Sequence, residues 1–134
     1  MTNNILPEVW GPHGWQFIHY VALGYPEQPT EKDKVAYKTF FESLQNVLPC
    51  QSCATHYREN LRKLPISTHL KDRESIMRWT IDIHNEVNIS KGRPVVSYDT
   101  ALKLYTQKQF PLVSILTKTL VLVLILFWLY RLLR

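Results

Sequence analysis

Cys50-Gln-Ser-Cys53-Ala-Thr-His56 holds the only two cysteines in the chain and follows Pro49, where one apolar helical pattern stops and another begins. We therefore expect a helix to begin at Cys50. A thiol in the first turn of a helix lies at the positive end of the helix dipole, which favours its thiolate. Two thiols at this spacing can close and reopen a disulfide. The stretch is therefore a candidate reactive centre.

Spacing alone leaves three roles open for the two cysteines. The first is redox chemistry. The second is zinc binding, in which Cys50, Cys53 and His56 supply three ligands and His69 or His84 supplies the fourth. The third is a structural bridge, although so short a loop removes little entropy from the unfolded chain. The N-terminal residues do not form a secretory signal, so we expect a cytosolic start, where Cys-x-x-Cys is more often catalytic or metal-binding.

The composition suits one domain of ordinary size, because the chain has 134 residues. Four Trp, seven Tyr and five Phe are many for this length and suit packing around a flat aromatic ligand, or a small core without one. The formal net charge of +5 comes from scattered basic residues. A dense basic run and a nucleic-acid motif are both missing, so the sequence predicts no nucleic-acid partner.

Apolar residues recur at helical spacing between the prolines, whereas alternation of apolar and polar residues is nowhere sustained. Prolines at element boundaries are what helix sterics predict. Thr30 and Asp33 form a capping-box pattern, and Ser97 is a candidate cap for a short last helix. We therefore predict an all-α chain with five helices before residue 111, over about 12–24, 30–48, 50–64, 67–90 and 98–107.

The fourth predicted helix carries two neighbouring stripes. One is mostly apolar and includes Trp79, Thr80 and Ile83, whereas the other is mostly polar and includes His84, Asn85 and Asn88. The polar stripe is either a solvated edge with a satisfied core histidine or a row of donors and acceptors that meets a bound polar molecule.

Residues 111–130 differ from the rest of the chain, because Lys118 is their only charge. As a helix they would span roughly 30 Å, about the thickness of a bilayer core. Trp128 and Tyr130 lie where an aromatic belt is expected, and Arg131 and Arg134 follow. A charge at the centre of a span costs about 2.5–3.5 kcal/mol, but Lys118 lies toward one end and can reach the interface. We predict a transmembrane tail anchor at 111–131, with a helix buried in a partner protein as the alternative.

Several short motifs occur together in one order: Trp10-Gly11, Trp15 with His19, Cys50-x-x-Cys53, His84-Asn85-Glu-Val87-Asn88 and Gly92-Arg93-Pro94. This combination resembles the Erv/ALR family of FAD-dependent sulfhydryl oxidases over about residues 8–108. The short length resembles the compact members encoded by large cytoplasmic DNA viruses.

The resemblance implies that residues 1–108 form an oxidase domain, an all-α bundle of four helices plus a short fifth that holds FAD non-covalently and is usually a homodimer. It also implies that Cys53 lies against the flavin and that Cys50 faces the substrate. Family positions around the cofactor fall on Trp10, Gly11, Trp15, His19, His84, Asn85, Val87 and Asn88, with Arg93 where Lys is common. His56 follows the cysteine pair on the same helix and is a candidate for the lining of the pocket, and Tyr98 is a weaker candidate for the adenine end.

The implied activity is the formation of disulfide bonds in protein dithiols, with electrons passing through Cys50–Cys53 and FAD to oxygen to give hydrogen peroxide. The chain lacks the second, shuttle cysteine pair of many cellular members, and Tyr98 falls near an expected structural cysteine. We therefore expect electrons to come directly from a protein dithiol substrate or a thioredoxin-like relay protein. The alternative function is a tail-anchored zinc-binding or adaptor module that uses Cys50, Cys53 and a histidine.

The position of the apolar segment predicts the topology. It follows the proposed oxidase domain, so we expect the domain to fold before the segment inserts. Residues 1–108 should then face the cytosol. The resemblance to viral proteins makes a host cytoplasmic membrane or a virion membrane the expected location.

Overall fold

The chain is all-helical in the part that the structure, a computed structural model, describes: residues 4–109 and 111–132, without the side chains of 107–115. No strand occurs among these residues, which confirms the all-α prediction. The helices are α1 (Pro7–Leu23), α2 (Glu31–Val47), α3 (Gln51–Lys63), α4 (Arg73–Ser90), α5 (Tyr98–Gln109) and α6 (Pro111–Leu132), with a 3₁₀ turn at Ile66–Thr68.

The chain divides into two compact units, Met1–Tyr98 and Asp99–Arg134. In the first unit, α1 packs against α4, and α3 packs against both α2 and α4. The second unit contains most of α5 and all of α6. The predicted span at 111–131 includes side chains outside the described set. Taken over the described residues, no helix combines the length and the apolar character needed to cross a membrane.

Two helix starts follow the local signals in the sequence. The Thr30 side chain accepts the Asp33 N–H, and the Asp33 carboxylate accepts the Thr30 N–H, so the predicted capping box is present. Cys50 is the N-cap of α3 and has extended backbone geometry, as expected for a helix that begins immediately after it. The reactive stretch therefore lies in the first turn of α3.

Two predicted helix starts are wrong. Helix α1 begins at Pro7, so Pro12 lies inside it. Pro7 occupies the first turn, where a missing N–H is harmless, and Pro12 interrupts the ladder only in the second turn. Helix α4 begins after Asp72 instead of at Ser67, because the Asp72 carboxylate accepts the Ser75 N–H at 2.8 Å. Residues 66–68 form the short 3₁₀ turn instead.

Trp79 lies at the centre of the first unit and is fully buried. Its indole N–H donates to the Leu64 carbonyl at 2.8 Å, and its ring meets Phe41 edge-on at 5.1 Å between centroids. Tyr57 on α3 donates its hydroxyl to the Phe41 carbonyl on α2 at 3.1 Å. Because each buried polar tip has a partner, these aromatic rings fill the core without an unpaired donor.

The end of α4 is a Schellman motif. Gly92 has a positive φ of 64°. Its N–H donates to the Ile89 carbonyl, and the Arg93 N–H donates to the Asn88 carbonyl at 2.8 Å. This turn sets the direction in which the chain leaves α4 and therefore the position of Arg93.

We predict that Gly92→Ala lowers the free energy of unfolding by about 1 kcal/mol, because a Cβ is strained at positive φ. Urea denaturation measures the change. The control is Gly11→Ala, since a Cβ at Gly11 meets nothing within 4 Å and its φ is not positive. Equal stability of the Gly92→Ala variant and the parent would contradict the role of this turn.

Candidate functional site

Cys50 and Cys53 form a disulfide at the start of α3. The Cys53 N–H points to the Cys50 sulfur at 3.2 Å, and the Ser52 hydroxyl lies 3.3 Å from the same sulfur. When the bond is reduced, the helix N-terminus and these donors stabilise negative charge on Cys50. The geometry thus favours a thiolate at Cys50.

The two sulfurs differ in exposure. Cys50 is 3% exposed, whereas Cys53 is half-buried. The segment before α1 crosses the backbone on both sides of Cys50: the Ile5 N–H donates to the Pro49 carbonyl at 2.9 Å, and the Gln51 N–H donates to the Asn4 Oδ1 at 3.0 Å. We call Asn4–Ile5 the N-terminal strap. It holds the segment that contains the more buried sulfur.

A second cluster joins α1 to α4. The rings of Trp15 and His84 are stacked, with centroids 4.1 Å apart and planes within 6°. His19 bonds through Nδ1 to the Thr80 Oγ1 at 3.0 Å and through Nε2 to the His84 Nδ1 at 3.1 Å. The structure therefore brings together three of the predicted site residues, Trp15, His19 and His84.

Burial keeps both imidazoles of this cluster neutral. It lowers the pKa of His19 to about 3, with a smaller contribution from His84. It lowers the pKa of His84 to about 4, with a smaller contribution from the positive charge of Arg93. Arg93 is thus close enough to act on His84. At neutral pH the cluster offers uncharged donors and acceptors, with a guanidinium nearby.

Asn85 and Tyr98 hold the chain that follows α4. The Asn85 amide donates to the Val96 carbonyl and accepts the Val96 N–H, each at 2.9 Å. The Tyr98 hydroxyl donates to the Asp82 carboxylate, which raises the pKa of Tyr98, and Arg78 lies 4.6 Å above its ring. Both ends of the Asn85 amide are therefore occupied, and a cofactor contact by Asn85 or Tyr98 stays a prediction.

The remaining predicted site residues lie on different parts of the bundle. Asn88 is 9% exposed. Val87 is half-buried beside it on α4, whereas His56 is exposed on α3. The structure does not bring His56 into the cluster of Trp15, His19 and His84.

Trp10 and Gly11 lie near the start of α1. The Trp10 Nε1 is buried and, in the described part of the chain, is the one buried side-chain donor without a partner. A Cβ on Gly11 would meet nothing, whereas a Cβ on Gly14 would lie 3.0 Å from two atoms of the Trp10 ring. Gly14 and Thr80 were not predicted. A Gly one turn after a Trp is a weak signal for the first, and the sequence offers none for the second.

The comparisons with known proteins agree with this geometry. The model of the Erv1/Alr family matches residues 12–111. The chain belongs to this family. It is 49% identical over 98 residues to the "Probable FAD-linked sulfhydryl oxidase R368" of Acanthamoeba polyphaga mimivirus, an alignment that covers 72% of this chain and 68% of the viral protein.

Relatives of lower identity include cellular proteins. The FAD-linked sulfhydryl oxidase ERV1 of Arabidopsis thaliana is 35% identical over 70% of this chain and 48% of its own length, so the chain spans about half of that protein. The crystal structure of the yeast Erv1 core superposes with a TM-score of 0.71 at 29% identity, covering 75% of this chain and 84% of that one. The family resemblance inferred from the motifs is therefore confirmed.

We predict that stability falls as the pH is lowered from about 6.5 toward 4. An unfolded His titrates near about 6.5, whereas the folded pKa values are about 3 for His19 and about 4 for His84. In this window the unfolded chain binds more protons than the folded chain, so acidification favours unfolding, and above it this contribution is constant. Each His contributes at most about 1.4 kcal/mol per pH unit, less for half-buried His84 because solvent screens it.

Urea denaturation at a series of pH values measures this slope. His19→Gln should reduce it. The control is His13→Gln, because His13 is exposed on the same helix. A slope that is the same in the parent and in His19→Gln would contradict a buried neutral His19.

Proposed function

We propose that this chain is an FAD-linked sulfhydryl oxidase that forms disulfide bonds in protein thiols. The observation that carries the proposal is the Cys50–Cys53 disulfide in the first turn of α3, in a chain of the Erv1/Alr family. Relatives from a virus and a plant are named as FAD-linked sulfhydryl oxidases. FAD, when bound, accepts two electrons from the reduced cysteine pair and passes them to oxygen, which gives hydrogen peroxide.

The residues present suit FAD. Trp10 offers a buried N–H that lacks a partner among the described residues, and Asn88 offers a buried amide. Gly11 leaves open space where a side chain would project. Trp15 and His84 present stacked aromatic faces, which suit a flat ring, and a guanidinium such as Arg93 can pair with a pyrophosphate.

The cysteine pair takes electrons by thiol–disulfide exchange. A substrate thiolate attacks the Cys50 sulfur, the Cys50–Cys53 bond breaks, and Cys53 leaves as a thiolate. The second substrate thiolate then attacks the substrate sulfur of the mixed disulfide and releases Cys50. Because the α3 N-terminus and the Cys53 N–H stabilise a Cys50 thiolate, Cys50 is a good leaving group in this second step. The substrate leaves oxidised, and the pair is left as a dithiol.

Access to Cys50 requires movement, since its side chain is 3% exposed. The N-terminal strap bonds to the backbone on either side of it. An attacking thiolate must approach in line with the disulfide, so the segment around Cys50 has to open for the first exchange step. The thiol that enters belongs to a protein dithiol substrate or to a thioredoxin-like relay protein.

The zinc-binding or adaptor alternative is not favoured. Zinc needs free thiolates, and both sulfurs are bonded to each other. The relatives that cover most of this chain are named as oxidases. Purified protein that is yellow with flavin absorbance supports the oxidase, whereas colourless protein with stoichiometric zinc would overturn it.

We predict that Cys50→Ser and Cys53→Ser each lower the rate of oxygen consumption with dithiothreitol by about 100-fold or more, because either change removes the exchangeable disulfide. Both variants should still bind FAD, which absorbance of the purified protein measures. The control is Thr55→Ala, since Thr55 is exposed on the same helix. A cysteine variant that oxidises dithiothreitol at the parent rate would show that the mechanism is wrong.

We also propose that the chain acts as a homodimer. Large apolar side chains are exposed on and before α1, among them Leu6, Val9 and Phe17. Pairing of two copies through such a surface would remove these side chains from water. Sedimentation of the FAD-bound protein at several concentrations tests the proposal, and a monomer throughout would contradict it.

We propose that residues 111–131 anchor the chain in a membrane, with residues 1–108 on the cytosolic side. The support is the composition of the segment, in which Lys118 is the only charge before Arg131. The described side chains of α6 are exposed and mostly apolar, from Leu116 to Leu132. A membrane of the host cytoplasm or of the virion would surround such a surface with lipid.

We predict that protease added to membranes that carry the full chain digests the Cys50–Cys53 domain without detergent. Leu124→Arg should release the chain from membranes, because a charge in mid-span costs about 2.5–3.5 kcal/mol. Leu124→Ile is the matched control and should stay membrane-bound. If the domain is protected until detergent is added, the cytosolic topology is wrong and the enzyme works in a lumen.

A further inference from the structure

A continuous line of hydrogen bonds runs from the backbone of α4 through α1 and back to α4. The Thr80 hydroxyl lies 2.8 Å from the Met77 carbonyl and 3.0 Å from the His19 Nδ1. The His19 Nε2 lies 3.1 Å from the His84 Nδ1. Thr80 is 0% exposed and His19 is 1% exposed, so water does not supply alternative partners for them.

The positions of the protons follow from the groups in this line. A carbonyl can only accept, so the Thr80 hydroxyl donates to Met77 and accepts the N–H at Nδ1 of His19. Neutral imidazole carries one proton, so the His19 Nε2 is an acceptor and takes the N–H at Nδ1 of His84. His84 is then left with an unprotonated Nε2.

The opposite direction of the same bonds is a competing arrangement. In it the Thr80 hydroxyl donates to His19, the His19 Nε2 donates to His84, and the His84 Nε2 carries a proton. That arrangement gives up the bond from the Thr80 hydroxyl to the Met77 carbonyl, whose oxygen lies 2.8 Å away, closer than the His19 Nδ1 at 3.0 Å. Burial lowers the pKa of His19 to about 3 and of His84 to about 4. At neutral pH each imidazole therefore carries a single proton, and the two arrangements are distinct.

We propose that Thr80 is a positioning residue that, through His19, holds His84 as the Nδ1–H tautomer and so presents the His84 Nε2 as an acceptor toward a hydroxyl or amine donor of bound FAD. This inference rests on the proposed FAD-linked function. His84 is half-buried and stacked on Trp15, so its ring orientation is set and only the tautomer decides whether Nε2 accepts or donates. Thr80 therefore sets the His84 tautomer through its bond to His19 and not through a contact with the cofactor.

The test uses the full chain in detergent micelles, labelled with ¹⁵N-histidine and studied with and without FAD. The ¹⁵N chemical shifts distinguish protonated from unprotonated ring nitrogens, and His19→Gln and His84→Gln assign them. In the parent, His84 should be protonated at Nδ1. Thr80→Val removes the acceptor for His19 with little change in shape, so His84 should switch to the Nε2–H tautomer. The dissociation constant of the Thr80→Val variant for FAD should rise about tenfold, which is the effect of about one lost hydrogen bond.

Thr80→Ser is the matched control, because it keeps the hydroxyl and loses only a methyl group. It should retain both the parent tautomer and the parent affinity for FAD. The inference is overturned if the FAD-bound parent carries its His84 proton on Nε2. It is equally overturned if Thr80→Val keeps the parent tautomer or if Thr80→Ser behaves like Thr80→Val. A parent chain that binds no FAD overturns the proposed function together with the role toward FAD, whereas a wrong tautomer in FAD-bound protein overturns this inference alone.

Discussion

A neutral imidazole buried between α1 and α4 constrains the rest of the site. A buried donor or acceptor without a partner costs about 1–3 kcal/mol, so both ring nitrogens of His19 need partners. Thr80 and His84 supply them from one face of α4. The two helices can therefore pack only in the register that brings these side chains to His19. The same register stacks Trp15 on His84, so stability and the candidate cofactor surface depend on one contact.

Hydrogen bonds farther along α3 set the position of Cys50 and Cys53. The Trp79 indole bonds to the Leu64 carbonyl, where α3 ends, and the Tyr57 hydroxyl ties the middle of the helix to α2. Helix α3 has 13 residues and is held at these two points. Contacts that involve neither cysteine therefore fix the position of its first turn. This arrangement lets Cys50 and Cys53 exchange bonds without loss of the helix that presents them.

The features that the sequence predicted well are those with local causes. The Thr30–Asp33 capping box and the helix start at Cys50 each depend on residues within one turn. The start of α4 was misplaced because Ser67 and Asp72 are both plausible caps, and only the bond to Ser75 decides between them. Thr80 was read as part of an apolar stripe because its partner, His19, lies 61 residues away. No sequence pattern indicated that the Asn85 amide exchanges two hydrogen bonds with Val96, because the loop that brings Val96 to it lies 11 residues further along the chain.

Reactivity and access at Cys50 are controlled by different parts of the chain. The α3 N-terminus sets the charge that the sulfur can carry, through the Cys53 N–H and the helix dipole. The N-terminal strap and the surrounding core set its exposure. An exposed disulfide with a good leaving group would react with any thiolate that reaches it. Because the same sulfur is almost fully covered, the chemistry that makes it a good leaving group is available only to a partner that first opens the segment around it.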